Sequence, residues 1–253
     1  MIPKKIHYCW LSGDEFPPLI QKCIATWKDK LPDYEFILWD SNKFNLDSNK
    51  YTKQAFEEKK YAFAADYIRL FALYHHGGIY LDTDIEVLKS FDGLLHLPYF
   101  IGTEGNEIIE AGVFGAEKGT DWVDDCLRFY DNKPFDKNKV NTLPRVMMKQ
   151  IQEKKSIKEL NNDILPKDVS YTNDNQLYMF PKDYFCAKNH STGIIEKTNN
   201  TFCIHHFAMS WIPKEIIFLS NFKKYLMRVF GVKFITSVIS MLHLDKVKEK
   251  FER

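Results

Sequence analysis

The chain lacks several features that quickly assign a protein to a class. Its five cysteines, at 9, 23, 126, 186 and 203, are odd in number and show no C-x-x-C spacing. Such thiols read as small hydrophobes in a reducing compartment. No uncharged apolar run reaches the roughly 18 residues of a spanning helix. The start, "MIPKKIHYCW", has no apolar signal stretch, so a cytoplasmic location is expected. The net charge is +1, so no global field points to nucleic acid. Internal repeats and low-complexity linkers are also missing, which favours one domain with a tail.

What is present is apolar and aromatic. Hydrophobic residues make up 45% of the chain and aromatics 15%. That supports a sizeable core and a site that stacks on planar or sugar rings. Charge is uneven. Nine Lys/Arg against four Asp/Glu lie between Ile212 and Arg253, leaving a mildly acidic body. The expected division is a domain over 1–212 and a basic amphipathic helical tail over 213–253.

The periodicity predicts an α/β layer fold. "KKIHYCWLSG" reads as a buried strand ending in a turn, "FPPLIQKCIATWKDKL" as a helix opened by prolines, and "DYEFILWD" as a second strand. A helix over 50–60 precedes a longer buried one, "AFAADYIRLFALYHH", which Gly77 and Gly78 end. "IYL" is a strand, and "IEVLKSF" continues extended. "YFIGTE" and "AGVFGAE" follow as strands, then helices from "DWVDDCLRFYD" and from Pro144. "TFCIHHFAMSW" is a late strand running into a loop.

Four groups carry chemistry. In "GGIYLDTDIEV", Asp82 and Asp84 sit one residue apart at the end of a buried strand. A divalent cation between them would relieve their repulsion; a solvated acidic turn is the plainer alternative. Position six of an EF-hand counted from Asp82 is Val87, not Gly, which excludes that loop. Asp66 and Arg69 share one face of the apolar helix, as an internal ion pair or as part of a polar pocket. Trp10 ends the first strand, where an aromatic can cover a nucleobase or simply fill the core. His205 and His206 alternate faces, so one points to the site and the other to the core; Ser210 and Trp211 follow within reach of phosphate oxygens.

Taken in order, "IHYCW", "AFAADYIRLFALYHHGGIYLDTDIEV" and "HHFAMSW" resemble the D-x-D glycosyltransferases. That family includes fungal initiating α-1,6-mannosyltransferases, α-1,4-galactosyltransferases and the catalytic domains of large clostridial toxins, with bacterial members in surface polysaccharide synthesis. The resemblance covers most of residues 1–212. It implies a GT-A type Rossmann-like sandwich, a nucleotide-sugar donor with Mn²⁺ or Mg²⁺, a saccharide or lipid-linked saccharide acceptor, and transfer with retention. It implies that Trp10 stacks on the base, that Asp66 and Arg69 hold the donor sugar, and that Tyr80 lines the ribose and sugar region. It makes Asp82 a ligand shared between donor and metal, Asp84 the principal metal ligand, His206 the late metal ligand, and Ser210 and Trp211 diphosphate contacts. Glu110, in "EAGVFGAEKG", stands as an acceptor-side or β-face residue. The family's usual G-P pair appears as Leu143-Pro144, so no role passes to Asn141 or Thr142. The Lys- and Asn-rich composition inclines the donor to UDP. Two other readings remain: a metal-dependent phosphoesterase or nucleotide-sugar hydrolase, and an inactive sugar-binding relative. The tail, "NFKKYLMRVFGVKFITSVISMLHL", suits an amphipathic helix on an anionic membrane surface or helices packed on the domain.

Overall fold

The structure, a computed structural model, describes residues 1–106, 108–139, 141–162, 164, 166–208 and 214–241. The expected α/β architecture is present, with a mixed central sheet and C-terminal helices. The chain opens with β1 (Lys5–Cys9), α1 (Pro18–Lys30) and β2 (Glu35–Trp39). Pro17 and Pro18 start α1, where a missing N–H is harmless and a fixed φ helps. Next come α2 (Lys50–Glu57), α3 (Tyr61–His76), β3 (Gly78–Leu81) and β4 (Ile85–Val87). β5 (Tyr99–Gly105), β6 (Ile108–Ala116), α4 (Asp121–Arg128) and α5 (Leu143–Gln152) follow. The last elements are β7 (Ser156–Glu159), β8 (Gln176–Met179), α6 (Lys182–Phe185), β9 (Cys203–His205), α7 (Lys214–Phe230) and α8 (Val232–Met241).

The main sheet runs β2-β1-β3-β6-β5. β2, β1 and β3 are parallel, and β6 is antiparallel to both β3 and β5. Helices and loops cover both faces, so the strands read as near-continuous apolar runs. Along β3, Ile79 and Leu81 point into one core layer and Tyr80 into the other. The same alternation divides Val113 from Phe114 and Phe100 from Ile101. Tyr80, and after it Asp82, therefore face the layer that contains α3.

β4 and β9 form a separate antiparallel pair with Ile85 opposite His205. It is pinned to α1 by two hydrogen bonds: Trp27 Nε1 donates to the Ile85 carbonyl at 2.6 Å, and the Val87 N–H donates to Thr26 Oγ1 at 2.9 Å. β7 pairs with β8 in parallel. The sequence "SIKE" offers no strand signal because one apolar residue cannot show alternation, and its partner β8 supplies the order.

The junction between α3 and β3 is tight. Gly77 has φ +63° and Gly78 φ +117°, in the region that favours glycine. A Cβ at Gly77 would lie 2.8 Å from the Lys118 nitrogen, and one at Gly78 would lie 2.7 Å from the Lys5 carbonyl oxygen. His7 of β1 locks this corner. Its Nε2–H donates to the Gly77 carbonyl at 2.9 Å, while Nδ1 accepts from Trp39 Nε1–H at 3.1 Å. Both ring nitrogens are thus used by the neutral form, and protonating Nδ1 would set two N–H groups against each other.

Burial pushes His7 down to about 4, and His76, Lys5 and Lys43 add to the shift against the Gly77 hydrogen bond. A histidine depressed on folding stabilises above its unfolded pKa near 6.5, and that contribution is lost as pH falls toward 4. The loss should reach about 3 kcal/mol from a shift of this size. Asp66 and Glu104, both raised to about 7, titrate in the opposite sense over the same range. The comparison is therefore between wild type and His7→Gln in urea melts at pH 7 and pH 4. The wild type should lose stability relative to the variant on acidification; a constant difference would show that His7 does not titrate with folding.

Candidate metal centre

At the carboxyl end of β3 the chain makes a tight turn. The Asp82 N–H donates to the Gly112 carbonyl at 2.8 Å, and the Ile85 N–H closes back on the Asp82 carbonyl at 3.0 Å. Asp82 and Asp84 are positions one and three of that turn, which sets both carboxylates beside each other. Asp82, Asp84 and His205 each place one ligand atom within 4.8 Å of the others. The group opens on a cleft of about 1250 Å³. Two unit charges about 4 Å apart repel by about 4 kcal/mol at an effective dielectric near 20, so the arrangement needs positive charge.

Arg69 supplies part of it. This buried guanidinium lies 3.2 Å from Asp66 Oδ1 and 3.2 Å from Asp82 Oδ1, donates to the Ala111 carbonyl at 2.9 Å, and sits 4.5 Å from the Tyr80 ring centroid. The Tyr80 hydroxyl donates to Asp82 Oδ1 at 2.8 Å. Oδ1 is therefore committed to the protein, while Oδ2 keeps only a long 3.4 Å contact with Arg69. Burial raises Asp82, and Arg69 and His205 oppose it. Asp66 is buried behind Arg69, and burial pushes its carboxyl up to about 7 despite that neighbour. Arg69 and Tyr80 line the cleft and Asp66 does not, so Asp66 acts on the site through Arg69.

His205 supplies the rest. Its Nε2 lies 3.4 Å from Asp84 Oδ1, and its Nδ1 meets both oxygens of Glu110 at 3.0 and 3.1 Å. Phe207, at φ +52°, stacks on the imidazole with ring centroids 4.0 Å apart. Burial opposes a charged imidazole, yet Glu110 and Asp84 hold His205 well above its ordinary value. Burial likewise opposes the Asp84 charge, but His205 and the Ala208 N–H, which donates at 2.7 Å, hold that carboxyl at about 2.

This geometry corrects two expectations. His205, and not His206, joins the aspartates. His206 Nε2 instead meets Glu86 Oε2 at 2.8 Å. Strand alternation separates adjacent side chains, and counting back from Trp211 across a loop cannot say which one faces inward. Glu110 is fully buried and its carboxylate is used by His205 and by the Gly112 N–H at 2.7 Å, so it offers nothing to an acceptor. It is the orienting partner of the histidine. Trp10 lines the cleft, with its Nε1–H donating to the Asp14 carbonyl at 2.7 Å and its ring against Phe16 at 4.9 Å. Ser210 and Trp211 lie outside the described residues.

Two further residues had readable signals. Gly112 breaks the apolar run of β6, and a glycine within a strand marks a close approach. A Cβ there would meet Glu110 Oε1 and His205 Cε1 at 2.8 Å and Asp82 Oδ2 at 3.0 Å, so only glycine leaves room for the cluster. Glu104 also lines the cleft. Burial, then Glu110, pushes it up to about 7.

The donor set fits a divalent cation. Two carboxylates suit Mg²⁺ or Mn²⁺, and a histidine whose second nitrogen is held by a carboxylate is the usual supporting arrangement for a metal-binding imidazole. With Nδ1–H donated to Glu110, Nε2 is the nitrogen that would give up its proton on binding a cation, whose charge would take the place of the imidazolium's beside Asp84. Glu110→Gln should weaken Mn²⁺ binding by about 10- to 100-fold in calorimetric titration, with an unchanged far-ultraviolet spectrum. Equal affinity in the two proteins would remove Glu110 from this role.

Residues 17–101 match the family described as "Glycosyltransferase sugar-binding region containing DXD motif". The chain is similar to inositol phosphoceramide mannosyltransferase 3 of Schizosaccharomyces pombe, 34% identical over 125 residues, covering 47% of this chain and 34% of that protein. It is similar to the mannosyl phosphorylinositol ceramide synthase SUR1 of Saccharomyces cerevisiae, 35% identical over 108 residues, covering 40% and 27%. The chain spans about a third of the length of these curated relatives. Among solved structures it is similar to the PaToxG glycosyltransferase at 22% identity and a TM-score of 0.48, covering 60% of this chain and 68% of that one. Residues 17–101, with Asp82 and Asp84 among them, thus match a DXD-containing glycosyltransferase sugar-binding region, and through it the chain is similar to the fungal mannosyltransferases.

Proposed function

We propose that this protein is a cation-dependent glycosyltransferase that moves a hexosyl unit from a nucleotide sugar to a saccharide or lipid-linked saccharide acceptor, with retention, in surface polysaccharide synthesis. The observation that carries the reading is the convergence of Asp82, Asp84 and His205 in one cleft, with both aspartates inside the segment matched to the DXD sugar-binding region. The mannosyl transfer named for the fungal relatives supports a hexose. A hydrolase with two metals would need a second cluster of ligands, and the described residues group into one.

When bound, a divalent cation supplies positive charge against the leaving diphosphate. Asp84 and His205, with Asp82 Oδ2, are the groups that would hold it. Arg69, fixed by Asp66, opposes the effect of burial on Asp82 and presents its own charge at the cleft wall. Tyr80 holds the other Asp82 oxygen, so the carboxylate cannot swing. Trp10, at the end of β1, offers its ring to the base. These fixed groups turn a chance encounter into a positioned one. The bond from the anomeric carbon to the phosphate oxygen breaks, and one forms to the acceptor oxygen. The acceptor proton passes to the departing diphosphate, so the step requires no dedicated base.

The tail carries a second part of the proposal. α7 and α8 expose Phe222, Tyr225, Phe230 and Phe234 beside Lys223, Arg228 and Lys233, a mixture suited to an anionic leaflet near a lipid-linked acceptor. Among the described residues no helix is long and apolar enough to cross a membrane. Replacing Phe222, Phe230 and Phe234 by serine should abolish co-sedimentation with anionic vesicles, and unchanged sedimentation would refute the tail's role.

The central test is a thermal-shift panel of UDP- and GDP-sugars with and without Mn²⁺, followed by turnover. A cation-dependent shift should appear with one donor, because a ligand stabilises as its concentration exceeds Kd. Asp84→Asn should keep the fold and lose transfer. Full activity in that variant, or hydrolysis of simple phosphate esters in place of nucleotide sugars, would overturn the proposal.

A further inference from the structure

The cleft is lined by charges of both signs, carried by different elements. The wall at the end of β3 carries Asp82, Asp84 and, from β5, Glu104. The α5 wall, together with the short connection between α2 and α3, carries Arg145, Lys149 and Lys59. Arg145 and Lys149 are four residues apart on one helix face. All three cations are exposed, and none makes an ion pair with a described residue.

Their neighbours behave differently. Just outside the cleft, Lys154 pairs with Asp125 at 2.6 Å, Lys155 with Asp121 at 2.9 Å, and Lys137 with Glu58 at 3.6 Å. These three lysines, none of which lines the cleft, are neutralised, while Lys59, Arg145 and Lys149 are left open. One carboxylate, Glu153, lines the same region, but it accepts a hydrogen bond from Gln150 at 3.3 Å. Lys59 adds a separate observation. It has φ +57°, a conformation that glycine or asparagine would adopt with less strain. That conformation ends α2, with the Lys60 N–H closing on the Ala55 carbonyl at 2.8 Å, and it sets Lys59 among the residues that line the cleft.

We propose that Lys59, Arg145 and Lys149 form a subsite for a phosphate group carried by the acceptor. The proposal rests on the glycosyltransferase reading above, which gives the acidic wall to the cation and donor and leaves the α5 wall to the second substrate. Three convergent cations exceed what one carboxylate needs. An arginine with two lysines suits the several oxygens and the higher charge of a phosphate. The phosphate can belong to a soluble phosphorylated acceptor or to the linkage of a lipid-borne one; the chemistry read by the protein is the same.

The test uses the full chain saturated with Mn²⁺ and the nucleoside diphosphate that the donor panel selects, so that the donor site is filled. Glycerol 3-phosphate, glycerate and glycerol are then titrated calorimetrically. Glycerol 3-phosphate should bind about tenfold tighter than either control, and the triple variant Lys59→Ala, Arg145→Ala, Lys149→Ala should lose that preference while keeping its nucleotide affinity. Phosphatidylcholine vesicles with and without phosphatidic acid, offered to the wild type and to the triple variant, decide whether the lipid-borne source is taken. Equal binding of glycerate, or a preference that survives in the triple variant, overturns the subsite. A tenfold loss of nucleotide affinity in the variant also overturns it, since the cations would then serve the donor diphosphate. Failure of every nucleotide to bind the wild type would sink the glycosyltransferase reading itself, a result distinct from these.

Discussion

Negative charge crowded at the end of one buried strand is the constraint around which this protein is built. Asp82 neighbours Asp66, Asp84 and Glu104, Glu104 neighbours Glu110, and Arg69 and His205 are the cations set among them. Burying a carboxylate is costly unless it is paired. The pairing here is unequal. Asp84 and Glu110 are held ionised by His205, whereas Asp66 and Glu104 are pushed up by burial. The result is a centre with more acid than base, which a divalent cation complements.

Several parts of the fold exist to make that crowding tolerable. The alternation of β3 sends Tyr80 and Asp82 toward α3, where Arg69 waits. Gly112 removes the one Cβ that would collide with Glu110, His205 and Asp82. The small β4–β9 pair, pinned to α1 through Trp27, brings His205 from far along the chain to face Asp84. Each device is local and inexpensive. Together they fix two carboxylates and an imidazole to within a few ångströms, where fixed dipoles act on developing charge without reorganising.

The charge asymmetry of the cleft follows from this centre. Acids gather where the sheet ends, and unpaired cations gather on α5 and at Lys59. A substrate pair spanning the cleft would place its cation-bound diphosphate at the first wall and its second substrate at the other. The exposed aromatic faces of α7 and α8 extend the same theme to a surface outside the cleft.

Much was legible in the chain order of residues. The turn "LDTD", the helix bearing Asp66 and Arg69, and the glycines that stop it could be read because their signals are local: period, caps and close spacing. The strands of the main sheet were legible too, since burial on both faces leaves long apolar runs. The partner of the aspartates was not. His205 and His206 look alike in sequence, and the choice between them depends on the register of β9 against β4, a pairing between segments more than a hundred residues apart. Glu110 was visible as an odd acid in an apolar strand, but its task as the histidine's anchor appears only once β6 and β9 are side by side. The sequence by itself determined which acids and histidines were candidates to bind a cation. The tertiary structure decided which of them meet, because facing direction and long-range contact are properties of the packed chain and not of its local pattern.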